Sequence, residues 1–407
     1  MTRSRAVADD PAATPARPGR VRMLVLLGGI TGIGPFTVDA YLPAFPAIAD
    51  GLDATPSQVQ LTLAAYLLAV AVGQLVVGTL SDGWGRRRPV LVGLAAYVVV
   101  SVACALAPSI ELLVVLRVLQ GLAGGAAVVV ARAVVRDLYT GADATRFFSH
   151  LTLVFGVAPI VAPSVGGLVL LATGWRGIFA GLSVLGALLL TAAALALPET
   201  LPPARRRSPR FGPVLRTMAG LLRDRPFLGL ALAQGFGFAG MFSYIAGSPF
   251  VVQEVYGATA TVYGLLFGLN ALGFVLAGQV SAALAGRVPE RTTLRAALLI
   301  GVAAGAALVT TAATGAGGLV ALAAALFAFV SSLGLVLPCA TSLALARHPD
   351  AAGTAAALMG FGQTLIGALA APLVGLGPAG SAVPMAVAVA GCATAALAAL
   401  LTLARRA

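Results

Sequence analysis

Asp39 is the one formally charged side chain between Arg22 and Asp50, in an otherwise uncharged run from Met23 to Ala49. That run holds 27 residues, about 40 Å of helix at ~1.5 Å per residue, enough to cross the hydrocarbon core of a bilayer. A carboxylate just past the middle of such a segment costs about 2.5–3.5 kcal/mol on insertion scales. It is therefore expected to face a bundle interior or a watery cavity and to handle protons, ions or substrate. Arg117 is a second charge inside an apolar run. Its span enters from the opposite side, which places it within one helical turn of Asp39 in depth. A guanidinium at that level would hold Asp39 ionised or tune when it takes up a proton; the alternative has Arg117 snorkelling to the outer headgroups.

The elements that must position these charges follow from composition. The chain has 407 residues, 59% hydrophobic and only 10% charged, where a soluble protein carries about 25% charged residues. Apolar runs fall at 23–48, 57–80, 89–107, 111–131, 150–172 and 177–197, then at 226–249, 260–284, 296–312, 318–344, 353–376 and 381–403. An all-α membrane protein is expected, with twelve transmembrane helices in two pseudo-symmetric six-helix bundles. The expected organisation is an N-terminal tail (1–22), a first bundle (23–197), a flexible linker (198–225), a second bundle (226–403) and a short tail (404–407). All 26 basic residues are arginine, and 24 of them fall in segments on one side of the membrane under this count. The positive-inside rule makes that side cytoplasmic and puts both termini there. The net charge of +12 thus reads as a set of topology determinants rather than a nucleic-acid surface. Arg20 and Arg22 before an apolar stretch suggest a signal peptide, but its length, Asp39 and three prolines favour a retained first helix.

Nothing in the sequence assembles an enzyme. His150 and His348 are isolated, and Cys104, Cys339 and Cys392 lie in three separate runs without metal or disulfide spacing. No nucleotide-binding loop or nucleophile constellation is present, so no catalytic residue, metal or cofactor is expected.

Motifs sharpen the reading. The loop after the second span runs Gly78-Thr-Leu-Ser-Asp82-Gly-Trp-Gly85-Arg86-Arg87-Arg88, with glycines for close approach and a tight turn and an acid poised to pair with arginine or a helix N-terminus. Asp137 is a further partner for Arg86. The fourth span carries Arg117-Val-Leu-Gln120-Gly121-Leu-Ala-Gly124-Gly125, whose Gly121 and Gly125 make a small-xxx-small packing face. The fifth carries Pro159 and Pro163, spaced to kink it, followed by Gly166 and Gly167. These stretches resemble the signature loop, fourth-helix motif and antiporter motif of the major facilitator superfamily. Gly83 stands where the family usually has Arg, and Ala162 where many members have Gly. Asp39-Ala-Tyr41-Leu42-Pro43, Gln60 to Tyr66, Gly73-Gln74, Arg136-Asp137-Leu138, Trp175-Arg176 and Pro198-Glu199-Thr200 add similarity to its bicyclomycin/chloramphenicol-resistance branch of drug:proton antiporters.

The resemblance implies alternating access, a latch through Gly78, Asp82, Gly85, Arg86, Arg87 and Asp137 that stabilises the outward-facing state, and proton coupling at Asp39 and Arg117, with the proton as coupling ion. The expected partners are a small hydrophobic substrate and the lipid bilayer of the cytoplasmic membrane, with the protein acting as a monomer; the rival readings are an exporter of a self-made metabolite or a nutrient transporter on the same fold and, more remotely, a non-transporting membrane receptor or scaffold. A pocket for such a compound needs aromatics and a few hydrogen-bonding groups. Phe36, Tyr41, Tyr66, Gln74 and Gln120 qualify in the first half, and Gln234, Phe238, Tyr244, Phe267, Asn270 and Gln363 in the second. With no second carboxylate in mid-span, about one proton per cycle and neutral or zwitterionic substrates are expected.

Overall fold

The computed structural model describes residues 19–139, 141–202, 206, 211–348, 351–376, 378 and 380–404, and the regular structure among them is helical. In chain order the helices are α1 (Arg20–Asp39), α2 (Phe45–Gly51), α3 (Pro56–Trp84), α4 (Arg87–Ala105), α5 (Ile110–Leu138), α6 (Gly141–Ala196) and α7 (Phe211–Arg223). They continue as α8 (Arg225–Phe250), α9 (Ala260–Leu284), α10 (Glu290–Thr314), α11 (Gly318–Ala346), α12 (Ala352–Ala370) and α13 (Val383–Thr402). Local signals set several boundaries. Thr55 starts α3 with a reciprocal capping box through Gln58, and Ser109 and Thr259 cap α5 and α9.

Two features depart from the sequence expectation and a third meets it. The first span is not one helix: α1 stops at Asp39, a short 3-10 turn covers Leu42–Ala44, and α2 carries the chain on. Pro43 and Pro46 open the turn and α2, as expected of residues that lack the N–H an uninterrupted helix would need. The linker, in turn, contains the thirteen-residue α7. Finally, the expected fifth and sixth spans, 150–172 and 177–197, both lie within α6. It breaks at Gly174 (φ 72°, ψ −177°), a conformation open to glycine. Arg20 pairs with Asp143 near its start and Arg22 bonds the Leu195 carbonyl near its end, whereas Arg176 just past the break reaches Ala107 O at the opposite end of the molecule. The chain therefore reverses at Gly174, and the two limbs of α6 complete the twelve crossings.

Helices α1–α6 pack into one bundle and α8–α13 into another. Small residues bring backbones together in both. Gly121 and Gly125 of α5 sit over the carbonyls of Tyr66 and Val70 in α3, and Gly334 of α11 lies over that of Phe274 in α9. Large aliphatic residues such as Val92, Val99, Leu168, Leu188 and Val320 are exposed on the outside, as a lipid-facing surface requires. The two bundles share one continuous apolar core toward the arginine-poor end, where Tyr41, Phe45 and Val59 join Tyr244, Phe250 and Val251. Toward the arginine-rich end the first bundle closes on a core of its own, built from Met23, Leu27, Val90, Val134 and Phe147 among others.

Candidate functional site

Asp39 is the last residue of α1, 5% exposed. Its carboxyl makes no hydrogen bond or ion pair with the described residues. The chain turns away immediately after it, and Gly166 of α6 packs directly over the Ala40 carbonyl; a methyl group there would overlap that oxygen. The glycine that follows the proline pair thus lets the first limb of α6 close on the break that follows Asp39. The turn that comes next, Leu42–Ala44, packs against α6 of the first bundle and against α8 and α9 of the second, so Asp39 stands next to the boundary of the two bundles.

Arg117 is wholly buried in the first bundle and does not snorkel. Its guanidinium carbon lies 4.3 Å from the Tyr41 ring centroid and 4.2 Å from that of Tyr66, with Phe179 at 5.8 Å. Nη1 donates to Gln120 Oε1 at 2.6 Å, and Nη2 reaches Thr37 O at 3.5 Å. Gln120 in turn donates to Ser101 Oγ (2.8 Å), and the Thr37 hydroxyl pairs with Tyr97 (2.6 Å). Arg117 Nε and the Tyr66 hydroxyl are buried without a hydrogen bond among the described residues. The expected depth match therefore brings Arg117 to the same helix as Asp39, two residues upstream, but the two charges form no ion pair in this conformation. Aromatic faces and neutral acceptors solvate the cation instead.

At the arginine-rich end the signature loop is bound by the terminus of α6. Gly85 has φ 90° and ψ 175°, and a side chain there would run into the Glu199 carboxylate. Glu199 accepts the backbone N–H of Arg86 at 2.8 Å and of Arg87 at 3.4 Å, capping the N-terminus of α4, and also accepts that of Leu201 at 3.0 Å. Burial pushes its carboxyl upward, but these donors and Arg206 outweigh that and hold it below the ordinary glutamate range. The Arg86 side chain donates to Asp137 Oδ2 (2.9 Å) and Ser81 Oγ (2.7 Å), and Thr200 donates to the same Asp137 oxygen (3.1 Å). The expected Arg86–Asp137 pairing is thus present, while Arg87 reaches back to Ala194 O. The surroundings of Gly78 and Asp82 lie outside the described residues. Glu199 was legible only as a carboxylate just past an apolar run; its contact with residues more than a hundred positions earlier carries no local signal.

Pro159 and Pro163 lie within the first limb of α6, next to the second bundle. Gly264 and Gly268 of α9 pack against Pro163, Ser164 and Ile160, and Gly167 approaches the Ala260 carbonyl. Gly264-x-x-x-Gly268 is a small-xxx-small pair whose spacing marks it in the sequence but does not tell which helix it meets. Beside it, Gln60 donates to Ala246 O (3.1 Å), Ser57 to Pro372 O (3.2 Å) and Gln253 to Pro43 O (3.1 Å), all between bundles and toward the arginine-poor end.

The pocket candidates divide into groups. Tyr41, Tyr66 and Gln120 form the Arg117 cage. Phe36 packs partly buried against the shared core, and Gln74 is also partly buried. In the second bundle, Asn270 donates to the Tyr244 hydroxyl (2.9 Å) and Tyr244 stacks on Phe267 with centroids 5.6 Å apart, around a small cavity. Gln234 bonds Gln363 and accepts from Thr341 (2.9 Å) nearer the arginine-rich end, and Phe238 packs edge-on against Phe242. The two groups of the second bundle make no common site here.

Comparison with known proteins places this geometry among transporters. A family model described as Major Facilitator Superfamily matches residues 25–372. The chain is 40% identical over 374 residues, covering 91% of itself and 92% of the relative, to a protein of Bacillus subtilis strain 168 named an uncharacterized MFS-type transporter, YdgK. It is 32% identical over 362 residues, covering 89% and 91%, to the bicyclomycin resistance protein homolog of Haemophilus influenzae. Among solved structures, the nucleoside transporter NupG (D323A mutant) superposes with a TM-score of 0.77 over 94% of this chain and 99% of that one, at 12% identity, a likeness of fold.

Proposed function

Because the chain belongs to the Major Facilitator Superfamily, we propose that it exports small hydrophobic compounds across the cell membrane in exchange for protons, by alternating access between its two bundles. The observation that carries this reading is Asp39: a buried carboxyl without a donor among the described residues, at the break of a spanning helix, next to the boundary between the bundles. An ionised carboxylate there is expensive, so exchange of a proton is the inexpensive way to pass through it. The relative named for bicyclomycin resistance and a shorter match named a chloramphenicol resistance protein favour drug-like cargo. With the arginine-rich end cytoplasmic, the shared core closes the outer side, and this conformation loads from within.

In this scheme Asp39 takes up a proton from outside and surrenders it inside, Arg117 biases that exchange, and the loop ending in Gly85 and Arg86 fastens one conformation. About one proton per cycle and neutral or zwitterionic cargo fit a single acid. The test is drug movement in proteoliposomes with and without an imposed pH gradient. Asp39→Asn should insert and fold as the parent does yet lose gradient-driven transport. Parental coupled transport by that variant would overturn the proposal.

A further inference from the structure

The helix between the bundles has a surface that neither bundle uses. α7 is tied down on one side: Leu221 is 4% exposed, and the helix packs against α8 and α12. A single residue, Asp224, joins α7 to α8. That residue is itself pinned, accepting from His348 Nε2 at 2.9 Å and lying 3.6 Å from Arg347 Nε. A helix fastened one residue before a membrane span cannot leave the level of the headgroups. Opposite the buried side, Arg216 and Arg223 project about 140–160° from Leu221 at ~100° per residue. Both are exposed, as is Arg225, the first residue of α8 two positions past Arg223, and none of the three forms an ion pair with the described residues. Leu222, between the buried and the cationic faces, is 47% exposed. Part-exposed leucine bordered by unpaired arginines is the pattern of a helix lying in a bilayer interface.

We propose that α7 is a lipid-binding element that seats an anionic phospholipid headgroup of the adjoining leaflet against Arg216, Arg223 and Arg225, with Leu222 in the acyl boundary. Charge complementarity selects the occupant: three guanidiniums at headgroup depth, with no ion pair among the described residues, recognise phosphate bearing net negative charge, not a zwitterionic headgroup. This assignment is independent of the transported compound.

Delipidated full-length protein titrated with phosphatidylglycerol or phosphatidylcholine and read by native mass spectrometry tests it. The parent should retain phosphatidylglycerol in preference to phosphatidylcholine. The combined variant Arg216→Gln, Arg223→Gln, Arg225→Gln should lose phosphatidylglycerol affinity by about tenfold or more, with phosphatidylcholine unchanged. Arg287→Gln with Arg295→Gln, which removes exposed arginines elsewhere, should bind as the parent does. The single variants Arg216→Gln and Arg223→Gln, each showing a smaller loss, decide the matter if the triple variant fails to fold. Equal phosphatidylglycerol retention by the variants, an equal loss in the Arg287/Arg295 control, no lipid preference in the parent, or displacement of the lipid by inorganic phosphate would each overturn the assignment.

Discussion

Two buried charges on helices of the first bundle keep very different company. Arg117 has aromatic walls, a glutamine and a backbone carbonyl, whereas Asp39 has no donor at all among the described residues. Replacing Arg117 by Lys keeps the charge but removes the planar surface that stacks between Tyr41 and Tyr66. Arg117→Lys is expected to lower pH-driven transport at least about tenfold and to destabilise by about 1–3 kcal/mol, measured by proteoliposome transport and thermal unfolding. The depths of both charges were readable from their distance to the span ends. Their lack of contact was not, because depth along a helix says nothing about the direction a side chain takes around it.

The elements that hold the signature loop make a different argument. Gly85 occupies a backbone conformation closed to side chains and lies under the Glu199 carboxylate. Gly85→Ala should therefore cost about 1–3 kcal/mol, seen as a lowered unfolding temperature, with Gly83→Ala as a comparison. Glu199 caps α4, and its folded carboxyl titrates below the ordinary value of 4.5. A depressed carboxylate contributes stability above its unfolded value and loses it as pH falls through the folded one. The stability gap between the parent and Glu199→Gln should accordingly be full near neutrality and shrink below about pH 4.5; a gap that widens on acidification would contradict the assignment. Sequence revealed the loop and the Arg86–Asp137 pair because both follow from charge and span ends. The break after Asp39 was hinted at only by Pro43 and Pro46, and α7 was obscured by the prolines around it.

Across the whole molecule, the two bundles meet on glycine-lined backbone contacts toward the arginine-poor end. Gly264 and Gly268 meet Pro163 and Ile160, and Gly375 lies against Ser57 and Gln60. Bulk there should wedge the bundles apart on that side. Gly264→Val with Gly375→Val is expected to lengthen the distance between spin labels on Leu106 and Val320, exposed positions on different bundles at that end, relative to labelled parent; an unchanged distance would mean the contacts do not govern closure. Twelve crossings and their pairing into halves were legible because hydropathy and arginine placement report directly on the bilayer. The contact between halves was hidden, since a glycine pair does not name its partner. The caged guanidinium has one further mechanical consequence. Arg117 is held between Tyr66 of α3 and Tyr41, a residue of the break that directly follows Asp39. Any movement of residues 40–44 that displaces the carboxylate therefore also moves one wall of the Arg117 cage, so the acid and the cation are mechanically geared to the same short segment.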